Sequence, residues 1–139
     1  MKFISYEDFK KMDEYQKFIT ENPAIGYLKI EAFTAYRAVP IENAEILITK
    51  DFGNYTVVFF NGYTDSSGNI ENIELPAPNP PREGSFEAPE YTLYHLTAIH
   101  EGYESIKQYN IGMFGNVKII QYVKMIPEVN LEGVETNGN

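Results

Sequence analysis

The chain has no cysteine, and only two histidines in 139 residues. Without cysteine there is no thiol nucleophile, no iron–sulfur cluster and no Cys-based zinc site, though any redox compartment remains open to it. Basic residues are also scarce. Eleven Lys and Arg face 20 Asp and Glu, for a net charge of −9 and a pI near 4.6. A nucleic-acid binder needs a basic footprint to displace counterions, and these cations are too few and too scattered to make one. Binding to anionic lipid is disfavoured for the same reason. Acidity by itself points to solubility and names no partner. No apolar run is long enough to span a bilayer. Lys10, Lys11, Asp13 and Glu14 interrupt any apolar stretch at the start, so the N-terminus does not read as a secretory signal, and a cytoplasmic or a spore-associated location is expected.

What is present describes one domain. A chain of this length buries about two-thirds of its unfolded surface and needs no disulfide or metal to fold. Its hydrophobic fraction of 43%, with 14% aromatics, argues against disorder. The most informative stretch is Val39 to Leu75. Ala44, Ile46 and Ile48 alternate with Glu45, Leu47 and Thr49, a period of two that suits a half-buried strand. Asp51-Phe52-Gly53-Asn54 breaks the run with residues that tolerate a hairpin turn. Tyr55 to Phe60 is apolar on both faces, so that strand is central or covered. Thr64-Asp65-Ser66-Ser67-Gly68-Asn69 closes a tight turn, with Asp65 bonding the backbone two residues on and Gly68 in the left-handed position.

The rest of the chain falls in around this stretch. Ser5 to Thr20 reads as one helix, with Ser5 as N-cap and an apolar stripe of Phe9, Met12, Tyr15 and Phe18 or Ile19. The stripe suits a helix packed on a sheet better than one awaiting a partner. Asn22-Pro23 ends it. Tyr27 to Thr34 is a strand with Leu28, Ile30 and Ala32 on one face. Ile70 to Leu75 is a short strand. Pro76 to Glu90 holds five prolines and reads as a stiff crossover between sheets rather than a polyproline ligand. Tyr91 to His100 is a strand with Tyr94, Leu96 and Ala98 inward, and Ser105 to Ile111 is a further one. Gly112 to Asn116 connects onward. Val117 to Ile126 is the last strand, with Val117, Ile119, Val123 and Met125 on the core face. The division is a helix over 1–23, a β-sandwich over 24–127 and a flexible tail over 128–139. Seven or eight strands with closely spaced turns make an all-β, two-sheet antiparallel Greek-key sandwich with one N-terminal α-helix.

Several short motifs, in order, bear a family likeness. Pro40-x-x-x-Ala44-x-Ile46, then Thr64-Asp65-x-x-Gly68, then Tyr94-x-Leu96-x-Ala98 followed by Gly102-Tyr103, resembles the carboxypeptidase regulatory-like domains, which are transthyretin-like (prealbumin-like) β-sandwiches. The likeness runs from Gly26 to Pro127. PIENA, TDSSGNIENIELPAP and VKMIP are similar to the β-domain of clostridial spore cortex-lytic enzyme precursors. The resemblance implies a spore or cell-envelope setting and an accessory role without a catalytic domain. It assigns Pro40, Ala44, Thr64, Asp65, Gly68, Gly102 and Tyr103 as structural motif residues. The wider family includes a hydrolase of a purine-derived ring, but the His/Arg set and C-terminal motif of that enzyme have no counterpart in VKMIPEV.

No catalytic, cofactor or metal residues are assigned. His95 and His100, five apart, face opposite sides of one regular strand and cannot share a metal there. Asp65-x-Ser67-x-Asn69-x-Glu71 alternates oxygen ligands as a calcium loop does, but Ile70 stands where such a loop needs glycine, and a tight turn explains the same residues. Ser66 and Ser67 lack the glycines of a nucleophile elbow. Eleven tyrosines and nine phenylalanines remain; most belong to the core, and Tyr27, Phe33, Tyr55, Tyr63, Phe86 and Tyr91 are candidates for exposure. Three functions follow. The first is a non-catalytic accessory or protein-interaction module. A peptidoglycan-binding module would show a flat row of exposed tyrosines. A small hydrolase would show a pocket joining a histidine to carboxylates.

Overall fold

The computed structural model describes residues 2–129, so most of the expected tail over 128–139 lies outside the described residues. In chain order the elements are β1 (Lys2–Ser5), α1 (Tyr6–Phe9), α2 (Asp13–Glu21), β2 (Ala24–Thr34), β3 (Glu45–Asp51), β4 (Tyr55–Tyr63), β5 (Asn69–Ala77), β6 (Thr92–Ile99), β7 (Ile106–Met113) and β8 (Lys118–Met125). They form a five-stranded sheet ordered β1-β4-β3-β6-β7 and a three-stranded sheet ordered β5-β2-β8. The expected all-β sandwich of two sheets is present. Both sheets are mixed, however, because β1 runs parallel to β4 and β2 runs parallel to β8. Parallel partners need a long connection, and the chain supplies one in each case: two helices and two strands between β1 and β4, most of the domain between β2 and β8.

The period-two faces meet in the core. Leu28, Ile30 and Ala32 of β2, Ile46 and Ile48 of β3, and Tyr94, Leu96 and Ala98 of β6 are all essentially buried. The Tyr94 hydroxyl crosses between sheets and donates to the Pro76 carbonyl at 2.6 Å, so the one polar atom of that ring is satisfied. Each buried aliphatic side chain contributes ~1.5–3 kcal/mol relative to exposure. On β8, Val123 and Met125 are buried and Ile119 half-buried, whereas Val117 precedes the strand and is exposed. Gly112 and Met113, expected in a connection, end β7 instead, and Met113 is fully buried. β5 runs two residues further than Ile70–Leu75 and includes Pro76. It is an edge strand, where the missing N–H of proline costs no ladder bond.

The N-terminal segment departs most from the expectation of one helix. Ser5 does cap a helix, accepting the Asp8 N–H at 3.1 Å, but the helix stops after Phe9 and resumes at Asp13. In an unbroken helix Phe9 and Phe18, nine residues apart, would point to opposite sides at about 100° per residue. The break turns both rings into one cluster, with centroids 5.7 Å apart, over Phe52 and Phe59 of the β3–β4 hairpin. The five-stranded sheet is wider than its partner, and α1 and α2 cover apolar surface on β4 and the β3–β4 turn. β1, too short to read in sequence, pairs Lys2–Ser5 with Tyr55–Val58 and closes that edge.

Candidate functional site

The seven motif residues gather at one end of the sandwich. Thr64 is buried; its hydroxyl donates to the Ile41 carbonyl at 2.6 Å and accepts the Ala44 N–H at 2.9 Å. Asp65 Oδ1 accepts the N–H groups of Ser67 and Asn69, each at 2.9 Å, so this carboxylate closes the turn. Gly68 has φ +79°, and a Cβ there would lie 2.3 Å from the Ala32 carbonyl oxygen and 3.2 Å from the Pro40 Cβ. Its own carbonyl accepts the Ala32 N–H at 2.7 Å. Pro40 bridges to Phe33, and Ala44 is fully buried. The corner thus ties β2 and β5 of one sheet to β3 and β4 of the other. Gly102 and Tyr103 form the turn after β6: Tyr103 bridges to Pro127, and the Glu128 N–H donates to the Gly102 carbonyl. Through the Thr64 hydroxyl and the Asp65 carboxylate these contacts tie backbone segments to one another.

The histidines are separated. His100 lies past the end of β6, with Nδ1 2.7 Å from the Glu101 carbonyl oxygen and Nε2 2.9 Å from that of Glu42, and so stitches the Gly102 turn to the corner. His95, between the inward Tyr94 and Leu96, faces the other way; its Nδ1 is buried and has no partner among the described residues. No group of three or more acidic or histidine side chains is placed to hold a metal among the described residues. Among the described residues no helix is long and apolar enough to cross a membrane.

The opposite end of the sandwich is open. There α2, the end of β3, the end of β5 and the segment before β6 surround a groove of about 970 Å³. One wall is α2 with Glu14, Lys17, Phe18 and Glu21, followed by Asn22. Asn22 is buried and fixed: its Nδ2 donates to the Phe18 carbonyl at 2.9 Å, and its Oδ1 accepts from Thr92 Oγ1, which ties the helix end to the start of β6. The other wall runs from Ala88 to Leu93, with Glu90 and Tyr91. Lys50 and Phe52, at the end of β3, complete the lining. Lys50 is half-buried, donates to the Leu93 carbonyl at 2.9 Å and lies 5.8 Å from the centroid of the Tyr94 ring. Burial, only partly opposed by the charge of Asp51, pushes its pKa below the ordinary lysine value. Neither histidine lines this groove. Sequence reasoning named Tyr91 but not Lys50, whose place on an inward strand face next to a turn was the available signal.

The exposed aromatics are spread over several elements, although Tyr109 and Tyr122 line one small pocket and Tyr122 packs edge-on against Phe33. Tyr63, Phe86 and Tyr91 are exposed, while Tyr27, Phe33 and Tyr55 are half-buried. Tyr36, Tyr109 and Tyr122 are exposed as well. Tyr63 pairs with Glu45 in the five-stranded sheet, Tyr122 pairs with Glu31 in the three-stranded one, Tyr91 lines the groove and Tyr36 sits in a turn.

No protein-family model matches the chain, and no curated protein matches it significantly. Several solved structures share its fold, two of them as follows. The Bacillus anthracis TIE protein is similar with a TM-score of 0.52 and 16% identity, over 75% of this chain and 17% of that one. The 3-chlorocatechol 1,2-dioxygenase of Rhodococcus opacus 1CP is similar with a TM-score of 0.50 and 11% identity, over 76% of this chain and 61% of that one. The chain therefore spans less than two-thirds of either protein. At these identities the likeness is one of fold, and the dioxygenase chemistry belongs to that enzyme.

Proposed function

We propose that the protein is a non-catalytic accessory module that binds a protein partner through the groove at the open end of its sandwich. The observation that carries this reading is the groove's composition. It offers aromatic surface and charges of both signs, and it brings no histidine to its carboxylates as an acid–base site would. Among the described residues the exposed tyrosines are divided over several elements, with Tyr109 and Tyr122 together in one small pocket, and this division supports a protein partner over a glycan. A sandwich of this size matching 17% of the TIE protein supports an accessory role, as one part among others. The gathering of the seven motif residues at one corner supports the transthyretin-like, carboxypeptidase regulatory-like affinity, and with it a spore or cell-envelope setting. The test is a pull-down from envelope and spore-coat protein extract beside co-sedimentation with purified peptidoglycan. Wild type is compared with a Lys17→Glu/Tyr91→Ala variant, both positions being exposed. The reading expects a captured protein that the variant loses. Capture unchanged in the variant, or peptidoglycan binding alone, overturns it.

A further inference from the structure

We infer that Lys50 anchors a carboxylate of an extended peptide segment, contributed by the protein partner and laid along the groove wall formed by 88–91. This rests on the interaction reading above and names what the groove would recognise. Three observations converge on it. The first is an unanswered charge. Lys10, Lys11 and Lys29 have carboxylates within ion-pair distance, whereas Lys50, half-buried in the groove, has none among the described residues. The neighbouring Asp51 is hydrogen-bonded by the Thr56 hydroxyl. Lys50 uses one donor on the Leu93 carbonyl, and an ammonium carries three. A carboxylate arriving in a partly desolvated setting forms a charge-assisted bond stronger than a neutral one.

The second is unused backbone. Residues 88–91 make no backbone hydrogen bond among the described residues and run directly into β6, so an extended segment can pair beside Ala88, Glu90 and Tyr91 as an added strand, with Pro89 offering only its carbonyl. The third is the charge pattern. Glu14, Glu21 and Glu90 line the same groove, so a uniformly acidic partner is repelled. The fitting segment carries one carboxylate for Lys50, basic residues beside it for these glutamates, and apolar side chains for Phe18, Phe52 and Tyr91.

The probe is a library of capped hexapeptides with a central aspartate between apolar and basic residues, matched to a set with asparagine in its place. Binding to the full chain is followed by amide chemical shifts. The aspartate set is expected to shift residues 14–22, 50–52 and 88–93 saturably, and the asparagine set to bind about tenfold more weakly or worse. Lys50→Gln should erase that discrimination and Lys50→Arg should keep it, with circular dichroism confirming that both fold. Equal binding of the two sets, saturable shifts elsewhere, or no saturable shift overturns the inference. A protein captured by wild type and lost by Lys17→Glu/Tyr91→Ala would still leave the interaction reading standing. Capture indifferent to that variant would remove the reading beneath it.

Discussion

Gly68 and Lys50 show what single side chains do at the two ends of the molecule. At the corner, φ +79° and the Ala32 carbonyl together exclude any Cβ. Gly68→Ala should therefore lower the unfolding free energy by about 1–3 kcal/mol, read by urea denaturation. Thr64→Val keeps the shape but strands the Ile41 carbonyl and the Ala44 N–H, at about 1–3 kcal/mol, whereas Thr64→Ser keeps both bonds and should fall well short of that loss. A Thr64→Val variant as stable as Thr64→Ser would mean the hydroxyl holds nothing. At the groove, the folded state holds Lys50 below its ordinary pKa of 10.5, chiefly by burial. Folding therefore releases a proton in the window between the lowered pKa and the ordinary value, and the lysine's contribution to stability rises with pH across it. Below that window the full desolvation cost is present. Lys50→Met should gain most over wild type at neutral pH, with the gain shrinking as pH approaches 10.5. The raised pKa values of Tyr6, Tyr55 and Tyr94 pull both proteins the opposite way at alkaline pH, so the difference between the two curves isolates Lys50. A difference flat across that range would show that burial places no strain on this ammonium.

Among the elements, the N-terminal unit is the least local and the most exposed to test. Phe9 is fully buried among the rings of Tyr15, Phe18, Phe52, Tyr55 and Phe59. Phe9→Ala should cost about 3–5 kcal/mol. Ser5→Ala, which removes one capping bond to the Asp8 N–H, should cost about 1 kcal/mol. Thermal unfolding followed by near-ultraviolet dichroism reads both, and a Phe9→Ala loss no larger than the Ser5→Ala loss would mean the two helices sit loosely on the sheet. This unit also marks where sequence stops being legible. Ile46 and Ile48, or Tyr94, Leu96 and Ala98, declare an inward face by alternation alone, and Asp65 and Gly68 declare their turn by local backbone chemistry. The break after Phe9 has no proline or glycine to announce it; it exists because Phe9 and Phe18 must both reach Phe52. The short Lys2–Ser5 strand and the parallel β2–β8 pair depend on partners far along the chain, which no local period encodes. The groove was hidden for the same reason: Lys17, Lys50 and Tyr91 come from three separate elements.

Taken whole, the molecule has a closed end and an open end. At the closed end Thr64, Asp65, Gly68 and His100 bind backbone to backbone and knit the two sheets. At the open end the strands stop short of α2 and the 88–91 segment, leaving a half-buried cation, aromatic rings and unpaired main chain around one groove. The motif residues thus lie at the closed end, and the proposed binding surface is assembled from residues with no motif at all. Hydrogen–deuterium exchange of the full chain, with and without the tightest-binding aspartate hexapeptide, tests this division most directly. The account predicts slowed exchange confined to 14–22, 50–52 and 88–93. Protection centred on 40–44, 64–69 and 100–103, or spread over a sheet face, would contradict it.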